Sequence, residues 1–310
     1  MLTRPILSVV LPIFNEEEIL NYSLESFRKT LDDMNVEYEV LGVNDGSTDK
    51  TQELLNQWSK DWPQFRSVEL VNNRGHMAAI TAGLDFALGD YVITIDVDLQ
   101  DPPTIIPKML DLATKEQLHV VYGIRNDRSS DTWFKRNSAN LYYNILSKLL
   151  KMDVPINAAD CRLMSRQVVN VLKTIPEKQK VYRLLVPYLG YPSGEIRYAR
   201  NERFAGKTHY STKQMMNLAI TSLTTFSTAP LRIATWTGSL GLFIFIVGCA
   251  YVGFGYLTGN TSPGWASLIL AILFMGTLQL LSLGILGRYV ANMYTEVQNR
   301  PVYEVKKPHE

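Results

Sequence analysis

The chain has 310 residues, room for one large domain with something added, and its 31 Lys and Arg against 30 Asp and Glu leave a formal net charge of +1. That balance gives no bulk electrostatic footprint for a nucleic acid. Two distant cysteines, Cys161 and Cys249, exclude a disulfide framework or a cysteine-rich metal site.

In chain order, the start holds a short apolar patch broken by Pro12 and followed by Glu16-Glu17-Glu18, which does not read as a signal peptide. Residues 6–13 predict a first strand, apolar on both faces, and 16–34 a helix. A second strand over 38–43 runs into Asn44-Asp45-Gly46-Ser47-Thr48-Asp49 and a helix over 50–59. A third strand over 66–71 leads through Asn72-Asn73-Arg74-Gly75 to a helix over 75–88. Then come a strand at 91–95, a helix near 104–114 and a strand at 120–122. This alternation predicts an α/β, doubly wound, mostly parallel sheet with ligands beyond the carboxyl ends of its strands.

The central stretch is Thr94-Ile95-Asp96-Val97-Asp98-Leu99-Gln100-Asp101-Pro102-Pro103. Two carboxylates two residues apart, where a buried strand frays, can turn toward one point. A hard cation such as Mg²⁺ or Mn²⁺ takes oxygen ligands of this kind, with substrate phosphates completing the shell. Gln100 could add a carbonyl oxygen, and Pro102-Pro103 stops the strand and starts the next helix. Asp-x-Asp alone is also an ordinary acidic loop; the surrounding segments favour the metal. Neither a Gly-x-Gly-x-x-Gly after the first strand nor a P-loop is present, against a dinucleotide oxidoreductase or a P-loop nucleotidase. Asp45 could hydrogen-bond a base or ribose, or simply belong to an Asp-Gly turn.

Residues 133–151 read as a helix mixing Trp133, Tyr142 and Tyr143 with Lys135 and Arg136, at a membrane surface or within the domain. Asp160-Cys161-Arg162-Leu163 follows in a loop or strand. Residues 212–232 suit an amphipathic helix on the bilayer surface. From 233 to 287 no Asp, Glu, Lys, Arg or His occurs, and a turn-rich linker at 258–264 splits that run. Each part, 233–257 and 265–287, is long enough to cross a hydrocarbon core of about 30 Å. Charges flank both spans and avoid the linker, so the positive-inside rule puts both ends in the cytosol and the linker outside. The expected organisation is a catalytic domain over 1–211, an interfacial helix, two spans and a cytosolic tail over 288–310.

In this order the motifs resemble glycosyltransferase family 2, specifically the polyprenyl-phosphate glycosyltransferases of the bactoprenol glucosyltransferase type, related to dolichol-phosphate mannose synthase. The matching pieces are Val10-Leu11-Pro12-Ile13-Phe14-Asn15-Glu16, Asn44-Asp45-Gly46-Ser47, Asn73-Arg74-Gly75, the Asp96 loop, Asp160-Cys161-Arg162-Leu163-Met164-Ser165-Arg166, Arg203-Phe204-Ala205-Gly206-Lys207 and the tail from Gly287 to Tyr303. The resemblance implies a glycosyltransferase A fold and transfer of a sugar, with glucose from UDP-glucose the first choice, to polyprenyl phosphate. It implies Asp96, Asp98 and Gln100 at the metal, and Pro12, Phe14, Glu16, Asp45 and Arg74 at the nucleotide. Asp160 and Asp98 are implied in catalysis, and Arg125, Arg136, Arg203 and Lys207 at a lipid or sugar phosphate. Two departures stand out: His209 where a lysine is usual, and Cys161 for the usual phenylalanine, a packing change.

A phosphate monoester has a second pKa near 6 and is already a nucleophile at neutral pH, so Asp160 reads as a positioner or weak base. Other nucleotide-sugars remain open. A processive synthase is disfavoured because Gln-x-x-Arg-Trp is absent, and a non-catalytic anchor because Asp96 and Asp98 are intact. The implied partners are the nucleotide-sugar, the polyprenyl phosphate and the bilayer; a homo-oligomer is left open.

Overall fold

The computed structural model describes residues 4–125, 158–178, 180–199, 229–258 and 264–306. The described residues fall into two compact units, one formed by those up to 199 together with those from Arg300 onward, the other by 229–258 and 264–299. The predicted helices at 133–151 and 212–232, and with them Arg136, Arg203, Lys207 and His209, lie outside the described residues.

In the first unit the chain alternates as predicted: β1 Leu7–Ile13, α1 Leu20–Asp32, β2 Tyr38–Asn44, α2 Thr51–Asp61, β3 Phe65–Glu69, α3 His76–Phe86, β4 Tyr91–Thr94, α4 Ile105–Lys115 and β5 Val120–Arg125. After the undescribed stretch come β6 Ala158–Ser165, α5 Arg166–Thr174, α6 Tyr182–Tyr188 and β7 Ser193–Tyr198. The seven-stranded sheet runs β3-β2-β1-β4-β6-β5-β7. Each described pair is parallel except those of β6, which lies antiparallel between β4 and β5.

Both faces of the sheet are covered, which is why β1 and β2 are mostly apolar without alternation and buried at each position; among the polar exceptions, Ser8 Oγ donates to Glu39 at 2.6 Å. Leu7, Val9, Leu11 and Ile13 pack with Leu20, Leu24, Phe27 and Leu31 of α1, Leu55 of α2 and Ile105, Ile106 and Met109 of α4. Val10 meets α3 on the other face, where a Cβ on Gly83 would come within 2.2 Å of its Cγ1. Cys161 is fully buried, with its Sγ 3.9 Å from Met109 Sδ, a packing role as expected.

The structure extends β5 beyond the predicted 120–122, because β6 and β7 pair with it along its length. The tail, read from sequence only as cytosolic, returns to the sheet. Leu70 and Val305 form an antiparallel bridge, Val71 N donates to Glu304 O at 2.8 Å and Lys306 N to Glu69 O at 2.9 Å. Lys306 Nζ pairs with Glu69 at 2.6 Å, and Tyr303 OH donates to Asp85 Oδ2 of α3 at 2.8 Å. The tail thus pairs with the carboxyl end of edge strand β3 and the two residues after it.

In the second unit, α7 Ala229–Leu257 and α8 Trp265–Val297 are both long and apolar enough to cross a membrane. Helix α7 begins before, and α8 ends after, the predicted spans, since charge-free sequence bounds the hydrocarbon stretch and not the helix.

Candidate active site

The loops after β1, β2 and β4 sit side by side at the carboxyl ends of their strands, because Ile13 pairs with Asn44 and Val10 with Thr94. The first two loops are laced together by backbone donors and short polar side chains. Asn15 N donates to Ser47 Oγ at 2.9 Å, Thr48 N to Asn15 Oδ1 at 2.9 Å, and Glu16 N to Thr51 Oγ1 at 3.0 Å. Phe14 is left 42% exposed at the rim, an aromatic face available to a planar base. Pro12 is buried at the end of β1, so it shapes the loop from behind.

Asp45 is buried and both its oxygens accept backbone N–H groups ahead of α3, from Arg74 at 2.7 Å and Gly75 at 2.8 Å. Burial raises its pKa, against the lowering effect of those two bonds. Gly46 after it has φ +65, and a Cβ there would lie 2.6 Å from the Asn72–Asn73 backbone, so only glycine lets the two loops meet. The side chain of Arg74 is exposed.

In the third loop Asp98 Oδ1 accepts Gln100 N at 3.1 Å, and Leu99 between them takes a left-handed φ of 57. A non-glycine residue held there marks a backbone constrained by its surroundings. Gln100 is buried, while Asp96 and Asp98 keep part of their surface open. Burial is the main reason that the Asp96 pKa rises to about 6; His76 opposes the rise and Asp160, Asp98 and Asp101 add to it. Such a concentration of negative charge fits a divalent cation. Among the described residues no three His, Cys, Asp or Glu side chains form a cage.

Asp101, fully buried, turns away from this cluster. It takes Arg125 Nε and Nη2 at 2.8 and 3.0 Å and the Tyr198 hydroxyl at 2.6 Å, tying the loop to β5 and β7. Pairing with Asp101, and not a phosphate, accounts for those two Arg125 nitrogens.

Asp160 reaches the crevice from β6, whose register places Arg162 beside Thr94, and Thr94 Oγ1 donates to Asp160 O at 2.8 Å. Its carboxylate meets Arg162 Nη2 at 2.8 Å, Arg183 Nη2 at 3.7 Å and His76 Nε2 at 3.7 Å. Burial would raise the pKa of Asp160, but Arg183, Arg162, His76 and Arg125 together lower it. His76, the first residue of α3, is also 3.7 Å from Asp96 Oδ1, so one imidazole nitrogen spans the Asp96 loop and Asp160.

Sequence reasoning passed over His76 and Arg183. His76 adjoins the Asn73-Arg74-Gly75 motif, so asking which side chain opens α3 would have found it. Nothing local marks Arg183, because α6 reaches the site only through the fold.

Comparison with known proteins agrees with this geometry. The description Glycosyl transferase family 2 matches residues 8–172. The chain belongs to glycosyltransferase family 2. Across its length this family 2 glycosyltransferase is 38% identical over 307 residues to the uncharacterized glycosyltransferase YkcC of Bacillus subtilis (97% of this chain, 94% of that one). It is 36% identical over 307 residues to the SfII prophage-derived bactoprenol glucosyl transferase of Shigella flexneri, covering 98% of each chain. Among solved structures, glucosyl-3-phosphoglycerate synthase from Mycobacterium tuberculosis aligns at a TM-score of 0.50 and 18% identity, over 72% of this chain and 79% of that one, a likeness of fold.

Proposed function

We propose that this enzyme transfers glucose from UDP-glucose to a polyprenyl phosphate at a membrane, with inversion at the anomeric carbon. The observation that carries the reading is the approach of Asp96 and Asp160 to one imidazole nitrogen of His76, with Asp98 on the same loop as Asp96, in a chain similar end to end to named bactoprenol glucosyl transferases.

Asp96 and Asp98, together with the donor's phosphates, would hold a Mg²⁺ or Mn²⁺, which neutralises charge on the departing diphosphate. Phe14 and the Asp45 turn receive the nucleoside, with Glu16 and Arg74 on neighbouring loops. Asp160 stays ionised because two arginines face it, so it orients and does not take up a proton. An oxygen of the acceptor phosphate attacks the anomeric carbon, the bond to the diphosphate oxygen breaks, and UDP leaves with the electron pair. The two long helices would anchor the enzyme in the bilayer that holds the isoprenoid, with both ends of the chain cytosolic.

The test is to incubate membranes carrying the enzyme with UDP- and GDP-sugars and undecaprenyl phosphate, and to weigh the lipid product. A hexosyl adduct from UDP-glucose alone is expected; an adduct from another donor replaces glucose, and no lipid product with any donor sinks the acceptor.

A further inference from the structure

Among the described residues, Arg162, His76 and Arg183 face the Asp160 carboxylate, and they are held in different ways. Arg162 is buried on β6, with Nη2 2.8 Å from Oδ1. His76 opens α3 and reaches Oδ2 at 3.7 Å. Arg183 Nη2 lies 3.7 Å from Oδ1, too far for a direct hydrogen bond, so its place beside Asp160 depends on how firmly α6 is held.

Helix α6 does little to hold itself. It has seven residues, no side chain caps its start at Val181, and Pro187 lies inside it. A helix this short owes its position to tertiary contacts. Its first residue, Tyr182, is buried, and the hydroxyl lies 2.9 Å from Thr81 Oγ1 of α3. Thr81 spends its single hydrogen on Met77 O at 2.7 Å, so Tyr182 is the donor in that pair. Burial pushes the Tyr182 hydroxyl up from its ordinary value, which keeps the proton on it. Successive helical residues project about 100° apart, so the side chain anchored on α3 sets where the next one stands.

We propose that Tyr182 is a positioning residue for sugar transfer, its hydrogen bond to Thr81 setting Arg183 against Asp160. Helix α3 then governs both oxygens of that carboxylate, Oδ2 through His76 and Oδ1 through Thr81, Tyr182 and Arg183. The kinetic consequence rests on the reaction proposed above; the placement of Arg183 does not.

Tyr182→Phe is a mild probe, because it removes one hydroxyl and leaves Thr81 donating to Met77. With the full chain in membranes, kcat should fall roughly 10-fold while KM for the nucleotide-sugar stays unchanged. Thr81→Val, which keeps the shape and loses the hydroxyl, should reproduce the fall, and Thr81→Ser should retain most of the wild-type rate. In an Arg183→Gln background, itself slow, adding Tyr182→Phe should change kcat less than about twofold, since the group it positions is gone. A second readout needs no turnover: phenylglyoxal should modify Arg183 severalfold faster in Tyr182→Phe than in the wild type, followed on its peptide by mass spectrometry. Equal modification rates, an unaltered kcat, or a loss that persists in full in Arg183→Gln overturns the proposal. Absence of lipid product from the wild type with any donor sinks the reaction instead, and the modification rates then decide the positioning by themselves.

Discussion

The two halves of the sheet hold the site in different ways. On the β3-β2-β1-β4 side, the loops are fixed by backbone N–H groups meeting Asn15, Ser47, Thr51 and Asp45, all on adjoining turns. On the β6-β5-β7 side, the fixing is done by charge: Asp101 with Arg125 and Tyr198, and Asp160 with Arg162 and Arg183. The first arrangement fixes its loops through their backbones and leaves Asp96 and Asp98 partly open beyond β4; the second locks Asp101 and Asp160 with arginines.

The largest effect expected on this contrast comes from the metal loop. Asp98→Ala should lower transfer by roughly 10³-fold or more, the scale of losing charge stabilisation at a departing group. The protein should remain folded, because Asp98 is partly exposed. EDTA should reproduce the loss and Mn²⁺ restore the wild type; full activity in EDTA would remove the metal from the reading.

Breaking the charged side at its buried end should cost stability first. Asp101→Asn leaves Arg125 without its anion and should lower unfolding stability by about 3 kcal/mol, whereas Tyr198→Phe, removing one hydrogen bond, should cost about 1 kcal/mol. Denaturant unfolding of both variants distinguishes charge from hydrogen bonding, and equal losses would deny the two halves their difference.

Asp160→Asn should slow transfer by about 10²-fold while nucleotide-sugar affinity, measured by calorimetry, stays within error. A carboxylate whose pKa is lowered is ionised throughout the neutral range, so the acid limb of the rate profile should follow the acceptor phosphate near 6. A separate limb that vanishes in Asp160→Asn would make the residue a general base. Loss of donor binding would move it into the nucleotide site.

The smallest effect should come from the tail. Tyr303→Phe removes the bond to Asp85 and should cost about 1 kcal/mol or less in thermal unfolding, with transfer scarcely altered. A large loss of transfer would mean that α3, which starts at His76, relays the tail's position to the site.

Local chemistry was legible without coordinates. The β1, β2 and β4 runs are mostly apolar because both faces are buried, and Asp-Gly, Asp-x-Asp and Pro-Pro act within a few residues of themselves. The strand–helix order, the Asp96 loop and two charge-free stretches therefore followed from spacing and composition alone. Tertiary structure decided what joins residues far apart in the chain. Pairing of β6 against β4 is what brings Asp160 to the crevice, and α6 supplies Arg183 from more than twenty residues further on. The pairing of Arg125 with Asp101, which ties the Asp96 loop to β5, likewise shows only in three dimensions. The tail's return to β3 has no local signal either, since an edge strand recruits a partner through backbone groups that all residues except proline share.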